Sequence, residues 1–225
     1  MSNRGDVQLE YIETVASNVI LRSTSSTVPA SGFFGINGGF FDPANNQLLS
    51  IAVNNNVPTN GAAGQPGSGW FNAIARGTVR WEGALNTAGV PIVSNVNQIV
   101  VNNRSNYWAQ GGISMLLGAT DEVWRSQVLN ERPEGIGGLA ASRPRSGLVY
   151  RLGGTPDNRT TTAFLAIARN SVTLEQFRKA IQLGIPRVTN GIFVDGGGST
   201  QINCREAQFA GDSRTIPQII SLRNN

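Results

Sequence analysis

The sequence contains no histidine among its 225 residues. Catalysis by a Ser-His-Asp triad or a Cys-His pair is therefore excluded, because both need an imidazole as the general base. The same absence excludes zinc held by histidine and phosphohistidine intermediates. Any catalysis must use Asp, Glu, Arg, Asn, Ser, Thr or Tyr side chains, or a metal ion held by oxygen ligands.

Cysteine and charge are also scarce. Cys204 is the single cysteine, so the chain cannot form an internal disulfide or a thiolate metal cluster, and we interpret this residue as structural. Charged residues make up 14 % of the chain, whereas roughly 25 % is typical of soluble domains. This composition argues against coiled coils, helical bundles and acidic disorder.

Long apolar segments are absent as well. No run approaches the roughly 18 apolar residues of a membrane span, and the first residues lack the apolar segment of a signal peptide. We therefore expect no membrane partner. The chain as it stands is expected to be cytoplasmic or virion-associated, of bacterial or phage origin, or extracellular if a leader was removed.

The basic residues are almost all arginine. The net charge is +4, from 18 basic and 14 acidic residues, and Lys179 is the single lysine. The planar fork of arginine suits phosphate and carboxylate groups. The arginines are scattered along the chain, so the pattern does not indicate a surface for duplex nucleic acid.

Glycine is abundant, with 27 residues. Together with the low charge it predicts one α+β domain over residues 1–225, with a mixed, strand-dominated sheet and few helices. The longest helix is predicted at 173–183, because Thr173 and Gln176 form a capping-box pattern and Gly184 and Pro186 end the segment. A shorter helix is predicted at 120–130, with Thr120 as its cap.

Short strands are predicted over most of the remaining chain. Residues 70–75 and 78–82 are predicted to form a hairpin that turns at Arg76 and Gly77, and residues 98–101 are predicted as a strand. After the 173–183 helix, a buried strand at 191–194 predicts one βαβ crossover near the C-terminus. Asp195 would then lie at the carboxyl end of a parallel strand, where open α/β sheets bind ligands.

The segment Asp195-Gly-Gly-Gly-Ser199 is the first candidate site. Glycines allow the backbone to approach a ligand closely, and successive N–H groups in such a turn can bind an anion. In that interpretation Gly196, Gly197, Gly198 and Ser199 hold an anion, while Asp195 acts on a proton, a water, a sugar hydroxyl or a metal. The alternative is a tight turn in which Asp195 caps its own backbone.

Two further segments carry the same pair of interpretations. Asn37-Gly38-Gly39-Phe-Phe-Asp42 is either a glycine turn followed by core residues or a strand end that places Asn37 beside Asp195. Arg143-Pro-Arg145-Ser-Gly147 is either an exposed loop with solvated arginines or a group of anion ligands.

In their order along the chain these motifs resemble the phosphodiester glycosidase family. The resemblance rests on the Asn37–Phe41 block, the looser Arg145-Ser146-Gly147 block, the Asp195–Ser199 block and Arg214-x-x-Pro217, and it covers residues 30–222. Residues 54–110 lack a family landmark. The resemblance implies that Asp195, Asn37 and Arg145 are catalytic. It implies that Gly38, Gly39, Gly196, Gly197, Gly198, Ser199 and Arg143 bind substrate or phosphate.

The implied reaction is hydrolysis of a glycosyl phosphodiester in an envelope polymer or a sugar nucleotide. The ligand is then a phosphorylated sugar or nucleotide, or a glycopolymer. Two alternatives stay open: a non-catalytic protein that binds or sequesters such a ligand, and a structural or receptor-binding virion protein. No cofactor is assigned, and Asp42, Asp195 and Asp212 are candidate ligands of a divalent cation such as Ca²⁺ or Mg²⁺.

Overall fold

A computed structural model describes residues 7–133, 137–155 and 157–224. The α-helices are α1 (Asp121–Asn130) and α2 (Leu174–Gly184). The strands of the first half are β1 (Leu9–Val15), β2 (Val19–Ser26), β3 (Gly35–Asn37), β4 (Phe41–Asp42), β5 (Gln47–Leu48), β6 (Ala52–Asn54), β7 (Val57–Pro58), β8 (Phe71–Glu82), β9 (Thr87–Gly89), β10 (Ile92–Asn95), β11 (Tyr107–Gly111) and β12 (Ile113–Ser114). The later strands are β13 (Arg143–Thr155), β14 (Asn158–Val172), β15 (Asn190–Phe193), β16 (Ile202–Asn203), β17 (Gln208–Phe209) and β18 (Ile216–Leu222).

The strands form three larger sheets. Their orders are β1-β14-β13-β15-β12, β10-β8-β11-β6-β7 with β9 beside β8, and β17-β16-β3-β18-β2, while β4 and β5 pair separately. Strands dominate and the helices are few, in agreement with the α+β prediction. The prediction of a mixed sheet is wrong for the described residues, because every strand pairing there is antiparallel.

The predicted crossover has a different form. Helix α2 connects β14 to β15, and both strands pair antiparallel with β13, which lies between them. The two strands therefore run in the same direction without being hydrogen-bonded neighbours. Asp195 follows the end of β15, at an antiparallel sheet rather than at a parallel one.

Both faces of the first sheet are covered, which explains the sequence of β14. Leu165 and Ile167 belong to the core between this sheet and the other strands. Phe164, Ala166 and Ala168 belong to the core beneath the helices. Because successive strand residues point to opposite faces, a strand buried on both sides needs a continuous apolar run.

The helix boundaries follow the predicted caps. Thr173 Oγ1 accepts a hydrogen bond from the N–H of Gln176, and the Gln176 side chain accepts one from the N–H of Thr173. Thr120 caps α1 through the N–H of Val123. Phe177 and Ile181 of α2 are fully buried against the first sheet. Local capping and one apolar face therefore fix both helices, as the sequence predicts.

The hairpin predicted at Arg76 and Gly77 is wrong, since β8 continues through both residues. The buried Glu131 carboxylate accepts hydrogen bonds from the N–H groups of Gly77 and Ser114, at 2.8 and 3.0 Å. A Cβ at position 77 would lie 2.3 Å from Ser114 Oγ, so glycine permits a close strand contact here instead of a turn. The strand predicted at 98–101 is also wrong, because a 3-10 helix (Val96–Gln98) ends at its start.

Candidate active site

Asp195 lies where the ends of β15 and β3 meet. Its N–H donates to the Gly38 carbonyl at 3.2 Å, and its own carbonyl accepts from Asn37 Nδ2 at 2.8 Å. The preceding residues Ile192, Phe193 and Val194 are buried and anchor the strand. The Asn37 and Asp195 motifs, 158 residues apart in the chain, are therefore direct neighbours in the fold.

Asn37 is the centre of a buried polar network. Besides donating to Asp195, its side chain accepts hydrogen bonds through Oδ1 from Ser146 Oγ at 2.7 Å and from the Gln201 N–H at 3.0 Å. The residue is 1 % exposed. Its hydrogen-bonding groups are thus used by the protein, and the geometry gives Asn37 a positioning function for the Asp195 backbone.

Gln201 extends this network, and the sequence analysis missed it. Its Nε2 donates to the Arg214 carbonyl at 2.8 Å, and its Oε1 accepts from the Val28 N–H at 2.6 Å. The residue is fully buried. No local motif marks Gln201, because its partners lie 13 and 173 residues away in the chain.

The Asp195 carboxyl is held within its own loop. Oδ1 accepts from the Gly196 N–H at 2.9 Å, as the tight-turn interpretation predicts, and the Ser199 hydroxyl is a second partner. Burial raises the pKa of Asp195 from 3.8 to about 6, against the opposing effects of Ser199, Gly196, Arg214 and Arg143. The side chain keeps some contact with solvent. A carboxyl with this pKa exchanges protons readily near neutral pH.

The glycine segment after Asp195 forms a single 3-10 turn, Gly197–Ser199. Gly197 has φ +64°, a conformation that favours glycine. A Cβ at Gly198 would lie 2.0 Å from Asp212 Oδ2 and 2.5 Å from an Arg214 Nη, so a larger residue there would displace these two exposed side chains. The turn therefore lies directly beside an arginine and a second carboxylate.

The two arginines of the 143–145 motif have different environments. Arg145 is 2 % exposed, its Nε donates to the Val172 carbonyl at 3.1 Å, and an Nη donates to the Ala141 carbonyl. Burial, with a smaller effect of Arg143, lowers the pKa of Arg145 to about 10. Bonding to main-chain carbonyls gives Arg145 a structural function here, and its catalytic function stays a prediction.

Arg143 is exposed instead. Its Cδ would lie 3.7 Å from a Cβ at Gly197, and its charge lowers the pKa of Asp195. Arg143 makes no ion pair within the described parts of the chain. Of the two arginines in the motif, Arg143 is thus the better placed to meet a ligand.

Gly38 and Gly39 lie beside Asp195 but use their N–H groups internally. They donate to the Gln218 carbonyl at 2.9 Å and to Gln218 Oε1 at 2.8 Å. A Cβ at Gly38 would lie 1.7 Å from Gln218 Oε1, so a larger residue does not fit. The structure thus gives these glycines a close-packing function, and their predicted contact with substrate stays untested.

The surface above Asp195 has two parts. A depression lined by Asn37, Gly38, Gly39, Phe41, Ser199 and Gln218 is too narrow to admit a water molecule. It shares Phe41 with a groove of about 510 Å³ that is also lined by Pro43, Asn46, Asp212, Arg214 and Thr215. Asp212 and Arg214 thus line the groove next to the depression that Asp195 borders.

Among residues 7–133, 137–155 and 157–224, no three Asp, Glu, Cys or His side chains come together as a metal-ligand set. The suggestion of a cation at Asp42, Asp195 and Asp212 thus stays a prediction.

None of the described helices is both long enough and apolar enough to cross a membrane.

The α+β fold is shared with a solved hydrolase domain. The catalytic domain of zebrafish N-acetylglucosamine-1-phosphodiester alpha-N-acetylglucosaminidase, auto-inhibited by its pro-peptide, aligns with 98 % of this chain and 85 % of its own length, with a TM-score of 0.59 and 12 % identity. A hypothetical protein from Synechocystis aligns with 98 % of this chain and 58 % of its own length, at 14 % identity and a TM-score of 0.38. The chain matches no family model and no curated protein. The zebrafish likeness shows the fold alone.

Proposed function

We propose that this protein belongs to the phosphodiester glycosidases and hydrolyses a glycosyl phosphodiester. The proposal depends on the Asp195 carboxyl. Its pKa lies at about 6, it is bonded to the glycine turn that follows it, and the charges of Arg143 and Arg214 act on it. The structural neighbour named above acts on a sugar phosphodiester, which supports the same reaction class.

The chemistry needs only the groups that this site contains. Cleavage at an anomeric carbon passes through a cation-like transition state that a carboxylate stabilises, or through attack by a water that a carboxylate activates. The leaving group is a phosphate ester, a weak base, so strong protonation by a general acid is not needed. A chain without histidine is therefore able to catalyse the step with Asp195.

The phosphate is assigned to the glycine turn and Arg143. The first N–H groups of a helical turn have no acceptor within the turn, and Gly197 and Gly198 hold these positions. The exposed Arg143 side chain lies beside Gly197, and the buried Ser199 hydroxyl bonds the Asp195 carboxyl within the same turn. Because the depression is narrow, we propose that substrate enters from the groove beside Phe41 and displaces side chains there.

The direct test compares Asp195→Asn with Asp157→Asn, an exposed carboxylate at the far hairpin. Sugar-1-phosphodiesters and nucleotide sugars are incubated with each protein, and products are measured by mass spectrometry. We expect Asp195→Asn to lose at least about a thousandfold in turnover, with the control unchanged. Wild-type turnover should rise with pH through about 6, as Asp195 ionises. Unchanged turnover in a folded Asp195→Asn protein would remove Asp195 from the mechanism.

A second candidate is a protein that binds the same ligand without cleaving it. The internal hydrogen bonds of the Asp195 carboxyl to Gly196 and Ser199 favour this candidate, because hydrogen bonds that stabilise the ionised form make a carboxylate a weaker base. Tight binding of a phosphorylated sugar by wild type without product release would support the binder and contradict the hydrolase.

A further inference from the structure

Asp212 and Arg214 form an exposed ion pair at the rim of the groove. Arg214 Nε lies 2.9 and 3.0 Å from the two carboxylate oxygens of Asp212, and an Nη makes a further contact. Each side chain is 47 % exposed. Two oxygens on one guanidinium fork is also the arrangement in which arginine binds phosphate.

The backbone of this pair is fixed relative to the glycine turn. The Asp212 N–H donates to the Gly198 carbonyl at 3.2 Å, and the Arg214 carbonyl accepts from the buried Gln201. Gly211 has φ +57°, and a Cβ there would lie 2.2 Å from the Gly198 carbonyl oxygen. The main chain is held closely while both side chains reach the solvent, so they are able to exchange partners.

The guanidinium also lies within range of the site. An Arg214 Nη lies 2.5 Å from where a Cβ of Gly198 would be, and Asp212 Oδ2 lies 2.0 Å from the same point. The Asp195 charge in turn acts on Arg214. Asp212 thus covers the part of the glycine turn that lies nearest to Arg214.

We propose that Arg214 is a second anion-binding residue, and that Asp212 occupies its fork until a phosphate group of the ligand displaces it. The inference rests on the proposed function for the place of the ligand. An exposed ion pair contributes little to stability, so a phosphate replaces the carboxylate with little loss. The displacement also clears the space over Gly198. Asp212 therefore selects for anionic ligands, because a neutral sugar cannot compete for the fork.

Isothermal titration of the intact protein with inorganic phosphate and with UDP-glucose tests this inference. Asp212→Asn keeps the shape of the side chain and removes the competing charge, so we expect the Kd to fall at least roughly threefold. Arg214→Ala should raise the Kd roughly tenfold, and Arg214→Lys should restore part of the affinity because lysine lacks the fork. Adding Asp212→Asn to Arg214→Ala should lower the Kd by less than Asp212→Asn does in the wild type, because most of the effect of Asp212 passes through Arg214.

The Arg125–Glu175 pair supplies the control. It is an exposed ion pair of 2.7 Å between the two helices, and Glu175→Gln should leave both Kd values unchanged. Thermal unfolding of each variant separates loss of folding from loss of binding. Wild-type affinity in folded Arg214→Ala, or weaker phosphate binding in Asp212→Asn, would overturn the inference.

The two proposals fail separately, because titration needs no turnover. If no substrate is cleaved but Asp212→Asn still tightens phosphate binding through Arg214, the inference stands and the hydrolase proposal fails. If turnover depends on Asp195 but phosphate binding is insensitive to Arg214, the hydrolase stands and the inference is wrong.

Discussion

The two ends of β13 present different kinds of surface. The first residues of this strand lie beside the loop that begins at Asp195, since the Pro144 carbonyl and Arg145 lie next to Gly196. Asp195 itself borders a depression too narrow for water. The last residues of β13 enter the β13–β14 hairpin, which borders two open clefts of about 320 and 340 Å³. The groove of about 510 Å³ beside Phe41 is larger than either cleft, and the carboxyl with the raised pKa lies near that groove, within reach of the charges of Arg214 and Arg143. Open volume thus occurs at both ends of the strand, whereas the titratable carboxyl and its arginines occur at one.

The polar contacts explain the difference. At the hairpin, Asn86 Oδ1 accepts a hydrogen bond from Trp81 Nε1, and its Nδ2 donates to the Arg159 carbonyl. Asn86 therefore links the β8–β9 turn to the start of β14 at the surface. At the site, Asn37 and Gln201 connect four distant segments through hydrogen bonds that are buried or partly buried. Desolvated polar networks are costly to leave incomplete, and they hold groups in one arrangement. We infer that this preorganisation, rather than open volume, marks the functional end.

The largest expected effect is that of Asn37→Ala. It leaves Ser146 Oγ, the Gln201 N–H and the Asp195 carbonyl without this partner, and each buried unsatisfied group costs about 1–3 kcal/mol. We expect the free energy of unfolding to fall by at least about 3 kcal/mol. Urea unfolding followed by circular dichroism measures the change.

The matched change at the hairpin is Asn86→Gly, since Asn86 has φ +42° and glycine accepts that backbone conformation. The hydrogen bond to Trp81 Nε1 is partly buried and the one to the Arg159 carbonyl is exposed, so water replaces part of what is lost and we expect a loss of about 1 kcal/mol. Equal losses in the two variants would show that the two ends are held with the same strength.

Local sequence predicts the parts of this fold that depend on neighbouring residues. Thr173, Gln176 and Thr120 cap their helices as expected, because capping involves atoms three residues apart. Asp195 is correctly predicted at the end of a buried strand. The break predicted at Arg76 and Gly77 is wrong because the Glu131 carboxylate, 54 residues away, binds the Gly77 N–H and keeps the strand continuous.

The sequence predicts which segments contribute to the site, but it does not predict what each side chain does there. The sequence places Asn37 beside Asp195, but it does not show that Asn37 is fully bonded inside the protein. It also does not separate Arg143 from Arg145. One guanidinium is buried on the Val172 carbonyl and the other is exposed, and this depends on how β13 packs against β14. Tertiary contacts decide such functions, and no local pattern encodes them.

Replacing glycine by alanine tests how tightly the backbone is packed at the site and at the β13–β14 hairpin. A Cβ added by Gly38→Ala would lie 1.7 Å from Gln218 Oε1, which is buried and bonded to Gly39. Overpacking of this kind costs about 1–3 kcal/mol, and we expect about 2–3 kcal/mol here. Gly153→Ala, at the exposed hairpin, meets only Thr160 Oγ1 at 2.9 Å, a side chain that is able to rotate away. Its change in unfolding free energy should stay within about 0.5 kcal/mol.

The raised pKa of Asp195 predicts that this residue lowers the free energy of unfolding by an amount that depends on pH. Folding raises this pKa from 3.8 to about 6, so the stability that the protonated group provides is present below pH 3.8 and is lost as pH rises through about 6. Asp195→Asn does not ionise, so at pH 7 it should be more stable than wild type, on the order of 2 kcal/mol. The gain should vanish near pH 4. Asp157→Asn, an exposed control, should change the free energy of unfolding by less than about 0.5 kcal/mol. A gain of equal size at pH 4 and pH 7 in Asp195→Asn would contradict the assignment.

The smallest expected effect on stability is that of Arg143→Ala, and it separates the two arginines of the motif. Arg143 is exposed, so its removal should change the unfolding free energy by less than about 0.5 kcal/mol. It should weaken binding of inorganic phosphate roughly tenfold, because a charge-assisted contact is lost.

Arg145→Ala removes a buried partner of the Val172 and Ala141 carbonyls, so it should lower the unfolding temperature. We expect it to weaken phosphate binding only as far as it reduces the folded fraction. If Arg145→Ala instead abolishes phosphate binding with the unfolding temperature unchanged, the original prediction of Arg145 as the anion ligand is correct and Arg143 is a solvated surface residue.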